Sequence, residues 1–575
     1  MREQLLRRWI ANTGAQRVLQ SILWIAAAII VAAPMGLMVV YSFVSEFPIT
    51  GPVSLTLEHY TELFANTNLL VDITRNTLLY TSGTTIVALV LGTLLAVTVA
   101  KYFPDSKIQL LILLPYGIPS VAALTGWIIL LGDSGLITVA LTSALGLESA
   151  PYSIYSIPGM VWVEGLHTAP IAYLLVLPAV KSLPGAMEEA SFTAGASRLR
   201  TFREIILPLI FPSILSTAIF VFARTLATVA TPSVLGVPRQ IFTFGSAIPN
   251  LFLAGTSFSY SKALSFSVLV TVVTAAPVLY YMRLTANANG RYSTITGEET
   301  GAGTQYVTTT GRRGLSYLAL VAFVCVAGVL PFAAVVWDSV YAGYALGFET
   351  TQFTLTHYTG LITGEAEGIS NMVRVFVNTL SVGIIVPTTA MILGLLIAYA
   401  HQSIDLPTGG AVSFLASVTL AVPGIAKGLG FLVAFIRTPL YGTLGILLLG
   451  LHGQALPIAM RYASPALTRI GADNINASLV AGDNVLGTFK RIVLPLVSDD
   501  FVAGWMHIFV SVVRNIPIAI LLYATGSEVL SVKMLLVLQA GYFKTASSLA
   551  VVISVLSLVP YMLLQYMRLS TDSGL

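Results

Sequence analysis

Twelve apolar stretches long enough to cross a bilayer begin near residues 18, 77, 108, 156, 206 and 264, then near 315, 378, 411, 443, 496 and 546. In hydrocarbon every backbone N–H and C=O must be bonded internally, so a span takes about 20 consecutive, mostly apolar residues in a helix. The runs are continuous rather than alternating at every second residue, which excludes a closed β-barrel. Composition agrees: 56% of the 575 residues are hydrophobic, 9% are charged and the mean hydropathy is +0.86. Soluble proteins carry roughly 25% charged residues to stay dispersed, so the chain reads as an all-α polytopic membrane protein. Most soluble enzyme classes and nucleic-acid-binding folds are thereby excluded, and a net charge of +4 is too small to suggest nucleic acid. The single cysteine, Cys325, allows neither an intramolecular disulfide nor a cysteine-based metal site.

The basic residues orient the spans. With a cytoplasmic N-terminus, 19 of the 29 Lys and Arg fall in inner segments, 7 in outer segments and 3 within spans. That bias predicts both termini in the cytoplasm. The apolar segment from Val18 to Phe43 is longer than a signal-peptide core of about 7–15 residues and reads as a retained first span. Residues 285–314 are polar and rich in Gly and Thr, a composition suited to a linker between two halves, 1–284 and 315–575.

The halves repeat. Residues 189–208 (EASFTAGASRLRTFREIILP) return 287 positions later as 476–495 (NASLVAGDNVLGTFKRIVLP). Asn76-Thr77-Leu78 returns as Asn378-Thr379-Leu380, each followed sixteen positions later by a glycine, Gly92 and Gly394. Six spans per copy give the copies the same orientation, as parallel repeats about an axis normal to the membrane. Each repeated loop lies between the fourth and fifth spans of its half. A short helical stretch, Pro184 to Ala194, meets Gly195, which permits a left-handed turn, and Pro208 starts the next span where its missing N–H costs little. Such an elbow presents a short surface helix below the membrane and has no catalytic constellation of its own.

Glu189, Ala190, Ser191, Gly195, Ile205, Leu207 and Pro208 resemble the EAA loop of binding-protein-dependent ABC importer permeases. The second copy, with Ala477, Ser478 and Gly482, fits at every position except the first, where Asn476 replaces Glu. The fused form is similar to ferric-iron permeases, and also to thiamine and aminoethylphosphonate permeases. The resemblance implies a type I importer fold of two six-helix repeats, with each elbow docking as a coupling helix on one of two ATPase copies. It implies ATP and magnesium on that partner, a periplasmic or extracytoplasmic substrate-binding protein, and a place in the bacterial cytoplasmic membrane. No cofactor or metal is expected on this chain itself. Ferric iron is the first choice of cargo, with aminoethylphosphonate, thiamine and polyamines behind it. No G-x-x-x-x-G-K-[ST] occurs, so nucleotide hydrolysis belongs to a separate subunit. The alternative of a different class is a parallel-repeat secondary transporter, for which twelve spans in two halves are equally natural.

Charges within spans usually face a cavity or a partner. Glu164, Arg224, Lys427 and Arg514 are therefore candidates for a translocation path, with His167 beside Glu164. The alternative is that they snorkel to span ends or pair within the bundle. Pro115, Gly117 and Pro119 in the third span, and Pro423, Gly424 and Gly430 in the ninth, suggest broken helices flanking that path.

Overall fold

A computed structural model of the chain describes residues 14–45, 54–103, 108–252, 259–291, 310–343, 353–366, 368, 371–402, 411–412, 415, 419, 422–470 and 472–572. The first half forms α1 (Val18–Tyr41), α2 (Thr67–Tyr102), α3 (Ser120–Leu131), α4 (Ile157–Lys181), the short α5 (Gly185–Thr193), α6 (Arg198–Leu226) and α7 (Tyr260–Arg291). The second half repeats the order as α8 (Arg313–Val340), α9 (Met372–Gln402), α10 (Gly424–Phe435), α11 (Leu444–Ile470), α12 (Ala472–Val480), α13 (Ser498–Val513) and α14 (Phe543–Asp572). Among the described residues there are two isolated β-bridges, Val44 with Leu55 and Tyr341 with Phe353, and no longer strand.

The described residues do not confirm the exact count of twelve spans. Ten helices among the described residues are long and apolar enough to cross a membrane, or eleven if Leu486–Leu496 and α13, which meet at 80°, count as one. The stretch expected from about 411 appears as α10, only twelve residues long, and most residues of 403–421 lie outside the described set. The linker falls outside it over 292–309.

Both proline-rich spans are broken, at the same kind of joint. Pro119 (φ −56°, ψ 140°) and Pro423 (φ −56°, ψ 143°) stand in extended conformation immediately before α3 and α10. A proline cannot donate the hydrogen bond that would carry the helix through it, so the chain restarts there.

The halves interlock through their first helices. α1 packs on α10 of the other half, and α8 packs on α3. Glycine permits both approaches: a Cβ on Gly126 of α3 would overlap the Pro331 carbonyl oxygen of α8. One on Gly430 of α10 would lie 2.7 Å from that of Pro34 in α1. Within each half, α2 packs along α4 and α9 along α11. The repeated glycines serve this contact, since a Cβ on Gly92 would meet Ala172 at 2.5 Å and one on Gly394 would meet Ala459 at 2.7 Å. Ala172 and Ala459 are again 287 positions apart.

The Asn-Thr pair repeated at the start of the second span has a matching task in both copies. Asn76 donates to the Phe242 carbonyl (3.3 Å), while the Thr77 hydroxyl accepts from the Phe244 N–H (3.0 Å). Asn378 donates to the Gly526 and Glu528 carbonyls (both 3.0 Å), and Thr379 accepts from Leu530 N–H (2.9 Å). These bonds hold the segments that follow α6 and α13 against the bundle.

Candidate functional site

Two features stand out, a pair of elbows on one face and a cavity between the halves. In each elbow the glycine adopts the left-handed conformation, φ +82° at Gly195 and +95° at Gly482. An L side chain is disfavoured there by about 1–2 kcal/mol. Across each turn a serine meets a threonine: Ser191 Oγ lies 2.9 Å from Thr201 Oγ1, and Ser478 Oγ 3.0 Å from Thr488 Oγ1. Ser197 and Asn484 then accept from the backbone of the next helical turn, at Arg200 N–H (3.3 Å) and Gly487 N–H (2.7 Å). A π-helical turn follows in both, Phe202–Ile206 and Phe489–Val493, with Pro208 and Pro495 just beyond. The two loops thus share conformation as well as sequence. Both lie on the face reached by the C-terminal ends of α4 and α11.

Glu189 and Ala190 are exposed on α5, as an interaction surface requires, and Ala477 is exposed on α12. The side chains of Asp473 and Asn476 lie outside the described residues. The neighbouring Glu188, which sequence reasoning passed over, is buried and ion-paired with Lys101 at the end of α2. Its equivalent 287 positions on is Ile475, also buried.

The cavity, of about 420 Å³, is lined by all four charged residues singled out within spans, Glu164, Arg224, Lys427 and Arg514. Tertiary structure therefore gathers groups that are 350 positions apart in the chain, from Glu164 to Arg514. Glu164 lies seven residues into α4, about 10 Å from its start, on the side away from the elbows. Its Oε1 accepts from the Thr168 hydroxyl at 3.3 Å and stands 3.5 Å from Arg224 Nη1, which also donates to Thr168 Oγ1 at 3.2 Å. Its Oε2 accepts from the Thr231 hydroxyl at 2.7 Å. Both oxygens of the carboxylate are engaged.

Arg514 caps the C-terminal end of α13, donates to the Tyr116 carbonyl (2.7 Å) and lies over the Tyr116 ring, 4.7 Å from its centre. Arg224 approaches the same ring at 5.9 Å, and the His167 ring packs against it with centroids 5.9 Å apart. From the second half, Gln454 donates to Ser511 Oγ at 3.0 Å and accepts from Asn515, whose Oδ1 receives the Ile518 N–H at 3.1 Å. Gln454 stands 287 positions after His167, and the place of Glu164 is taken by Leu451, so the second half contributes no matching acid. Ser120 and Gly424, the first residues of the broken helices α3 and α10, also line the cavity. Arg461, an exposed residue of α11, lines it toward the elbow face. Among the described residues no three His, Cys, Asp or Glu side chains gather as a metal site.

One further repeat is present in the sequence. His59-Tyr60-Thr61 returns as His357-Tyr358-Thr359, and in both copies the histidine reaches a backbone carbonyl while the tyrosine meets a serine hydroxyl. Its signal is a three-residue identity 298 positions apart, in segments just before the second span of each half.

Residues 88–279 match the family of binding-protein-dependent transport system inner membrane components. Over 428 residues the chain is 27% identical to the putative ferric transport system permease protein FbpB 1 of Haemophilus influenzae, covering 72% of this chain and 64% of that one. It is 28% identical over 445 residues to the ferric transport system permease protein FbpB of Actinobacillus pleuropneumoniae, covering 76% and 62%. It is 24% identical over 257 residues to a putative 2-aminoethylphosphonate transport system permease protein PhnV of Salmonella paratyphi A, covering 44% and 94%. The chain thus spans somewhat under two thirds of the length of the two ferric relatives. Over residues 88–279 the chain is thus similar to the inner membrane components of binding-protein-dependent transport systems, in an all-helical, multi-span setting.

Proposed function

We propose that this chain is the permease subunit of an ATP-driven ABC importer, with ferric iron as the cargo favoured by the likeness to ferric permeases. The observation that carries the reading is the doubled elbow: two loops of one conformation, each exposing a short helix on one face, flank a cavity shared by both halves. In this reading α5 and α12 are coupling helices, with Glu189, Ala190, Ser191 and Gly195 in the first and Asn476, Ala477, Ser478 and Gly482 in the second. Each seats on one copy of a separate ATPase that holds ATP and magnesium, so two copies attend one chain. The elbow face is then cytoplasmic, both termini lie on that side, and the opposite face receives a substrate-binding protein in the inner membrane of a bacterium. Residues 1–284 and 315–575 are the two permease halves, and Glu164, Arg224, Lys427 and Arg514 border the path between them. The chain itself needs no cofactor.

Affinity purification from native membranes, with stoichiometry read by mass spectrometry, tests this. Recovery of an ATPase at two copies per chain, with a binding protein, is expected. A chain recovered without ATPase, even with nucleotide trapped, would shift the assignment to a secondary transporter. Coupling should be unequal between the elbows, because only the first carries the Glu of its motif: Glu189→Gln should uncouple ATPase activity from transport more than Asn476→Ala. Equal losses in the two variants would remove that asymmetry.

A further inference from the structure

The cavity between the halves is built for negative charge. Of the charged side chains lining it, Arg224, Arg461, Lys427 and Arg514 are basic and Glu164 alone is acidic. The carboxylate of Glu164 is already engaged through both oxygens, by Arg224, Thr168 and Thr231. Arg514 rests on a carbonyl and an aromatic face, neither of which cancels its charge. Lys427 is 7% exposed, and its ammonium has no acceptor among the described residues. Burying an unpaired ammonium is costly, and an anion entering beside it relieves that cost.

The backbone points the same way. α3 and α10 are twelve-residue helices that begin abruptly at Pro119 and Pro423 inside the bundle, and neither has a side-chain cap. Their first residues, Ser120 and Gly424, line the cavity. An uncapped helix start offers free N–H groups and the positive end of the helix dipole. Two such ends, one from each half, converge on the same volume as the unpartnered lysine. Broken helices whose N-termini meet anionic substrate groups are a known device in transporters.

We propose that this cavity is an oxyanion site, through which cargo passes with phosphonate, phosphate or carboxylate oxygens presented to Lys427, Arg514 and the helix starts. Two cargoes share that chemistry: a free oxyanion, and ferric ion wrapped by an anionic chelator. Hydrated ferric ion does not, because each cation of the lining repels its triple charge three times as strongly as it would a monovalent ion. The proposal rests on the importer reading and deepens it.

The test uses the full-length chain in lipid nanodiscs, with the associated ATPase if one co-purifies, titrated at constant ionic strength. The probes are inorganic phosphate, 2-aminoethylphosphonate, citrate, ferric citrate and, as a non-redox trivalent cation, gallium nitrate at low pH. At least one oxyanion should raise the thermal midpoint, and Lys427→Gln or Arg514→Gln should weaken that binding about tenfold or more. Lys262→Gln, at the start of α7 where the lysine pairs with Glu62 and is not part of the cavity lining, should leave it unchanged. Binding of phosphate or 2-aminoethylphosphonate without metal identifies a free oxyanion; binding of ferric citrate but not citrate identifies a chelate, and both support the proposal. No oxyanion effect, binding indifferent to Lys427→Gln and Arg514→Gln, or a gallium response in the unaltered chain without any oxyanion response would overturn it. The two readings fail separately. Oxyanion binding by a chain with no ATPase partner leaves the site standing and removes the importer, whereas ATP-driven transport unchanged in both variants keeps the importer and removes the site.

Discussion

Glu188 and Glu164 are both buried carboxylates facing one basic residue, yet their surroundings give them different weight. Glu164 has Arg224 and two threonine hydroxyls around it, whereas Glu188 faces Lys101 with its Oε2 left without a partner. The second half shows what the Glu188 position tolerates, since buried Ile475 occupies it. Removing one member of a buried pair costs about 3–5 kcal/mol, while replacing both by well-packed apolar residues is often neutral or stabilising. Glu188→Ala should therefore lower the thermal unfolding midpoint in detergent sharply, and Lys101→Met combined with Glu188→Leu should restore most of it. Failure of the double variant to recover would give the pair a role beyond local stability. The sequence pointed to Glu189, one residue along, because that residue fits the motif. Which of two adjacent glutamates turns inward depends on how α5 seats against the end of α2, and no local pattern carries that information.

At the scale of the element, the elbow depends on its glycine. A Cβ added at Gly195 or Gly482 would meet no heavy atom within 4 Å, so the demand for glycine is conformational and not steric. Gly195→Ala and Gly482→Ala should each destabilise the local turn by about 1–2 kcal/mol. Faster amide hydrogen exchange confined to 189–208 or 476–495 would register it, with the global midpoint nearly unmoved; a global loss instead would mean that the elbows hold the bundle together. The glycine and the short helix were legible because left-handed turns and helix ends have local chemistry. The π turns are harder to read, although their signal is present. Ala28–Ala32, Phe202–Ile206, Cys325–Val329 and Phe489–Val493 each precede a proline at the second position beyond, namely Pro34, Pro208, Pro331 and Pro495. A proline inside a helix clashes with the carbonyl one turn earlier, and a widened turn just ahead of it relieves that clash. Pro208, expected from the sequence near the start of the span, lies ten residues inside α6, where the widened turn before it accommodates the ring. In the second half the same stretch goes further and bends by 80° at Val497, with Asp499 and Asp500 in the first turn of α13 and Asp500 paired with Arg469.

Across the whole molecule, the sequence showed two copies of one unit but not that each lends its first helix to the other. Nothing marks Gly126 or Gly430 in their apolar runs as different from any small residue. Their meaning appears only when the Pro331 and Pro34 carbonyls arrive at distances that no Cβ could share. The charged cavity has the same character, because Glu164, Lys427 and Arg514 were each visible as a charge out of place while their meeting is a property of the assembled halves. The exchange predicts how the two halves should behave if the chain is cut. A protease site placed in the polar linker at 300–304 should give two fragments that remain together in detergent, since α1 on α10 and α8 on α3 hold them by packing rather than by the covalent link. Small residues at such contacts let backbones approach closely, which is the main attraction available between helices in lipid. Gly126→Leu with Gly430→Leu drives a side chain into both carbonyls, and the cut variant should then separate on size-exclusion chromatography. Gly36→Leu, where nothing lies within 4 Å, should not separate. Fragments that part without any substitution would show that the crossed helices contribute little, and that the linker alone keeps the halves paired.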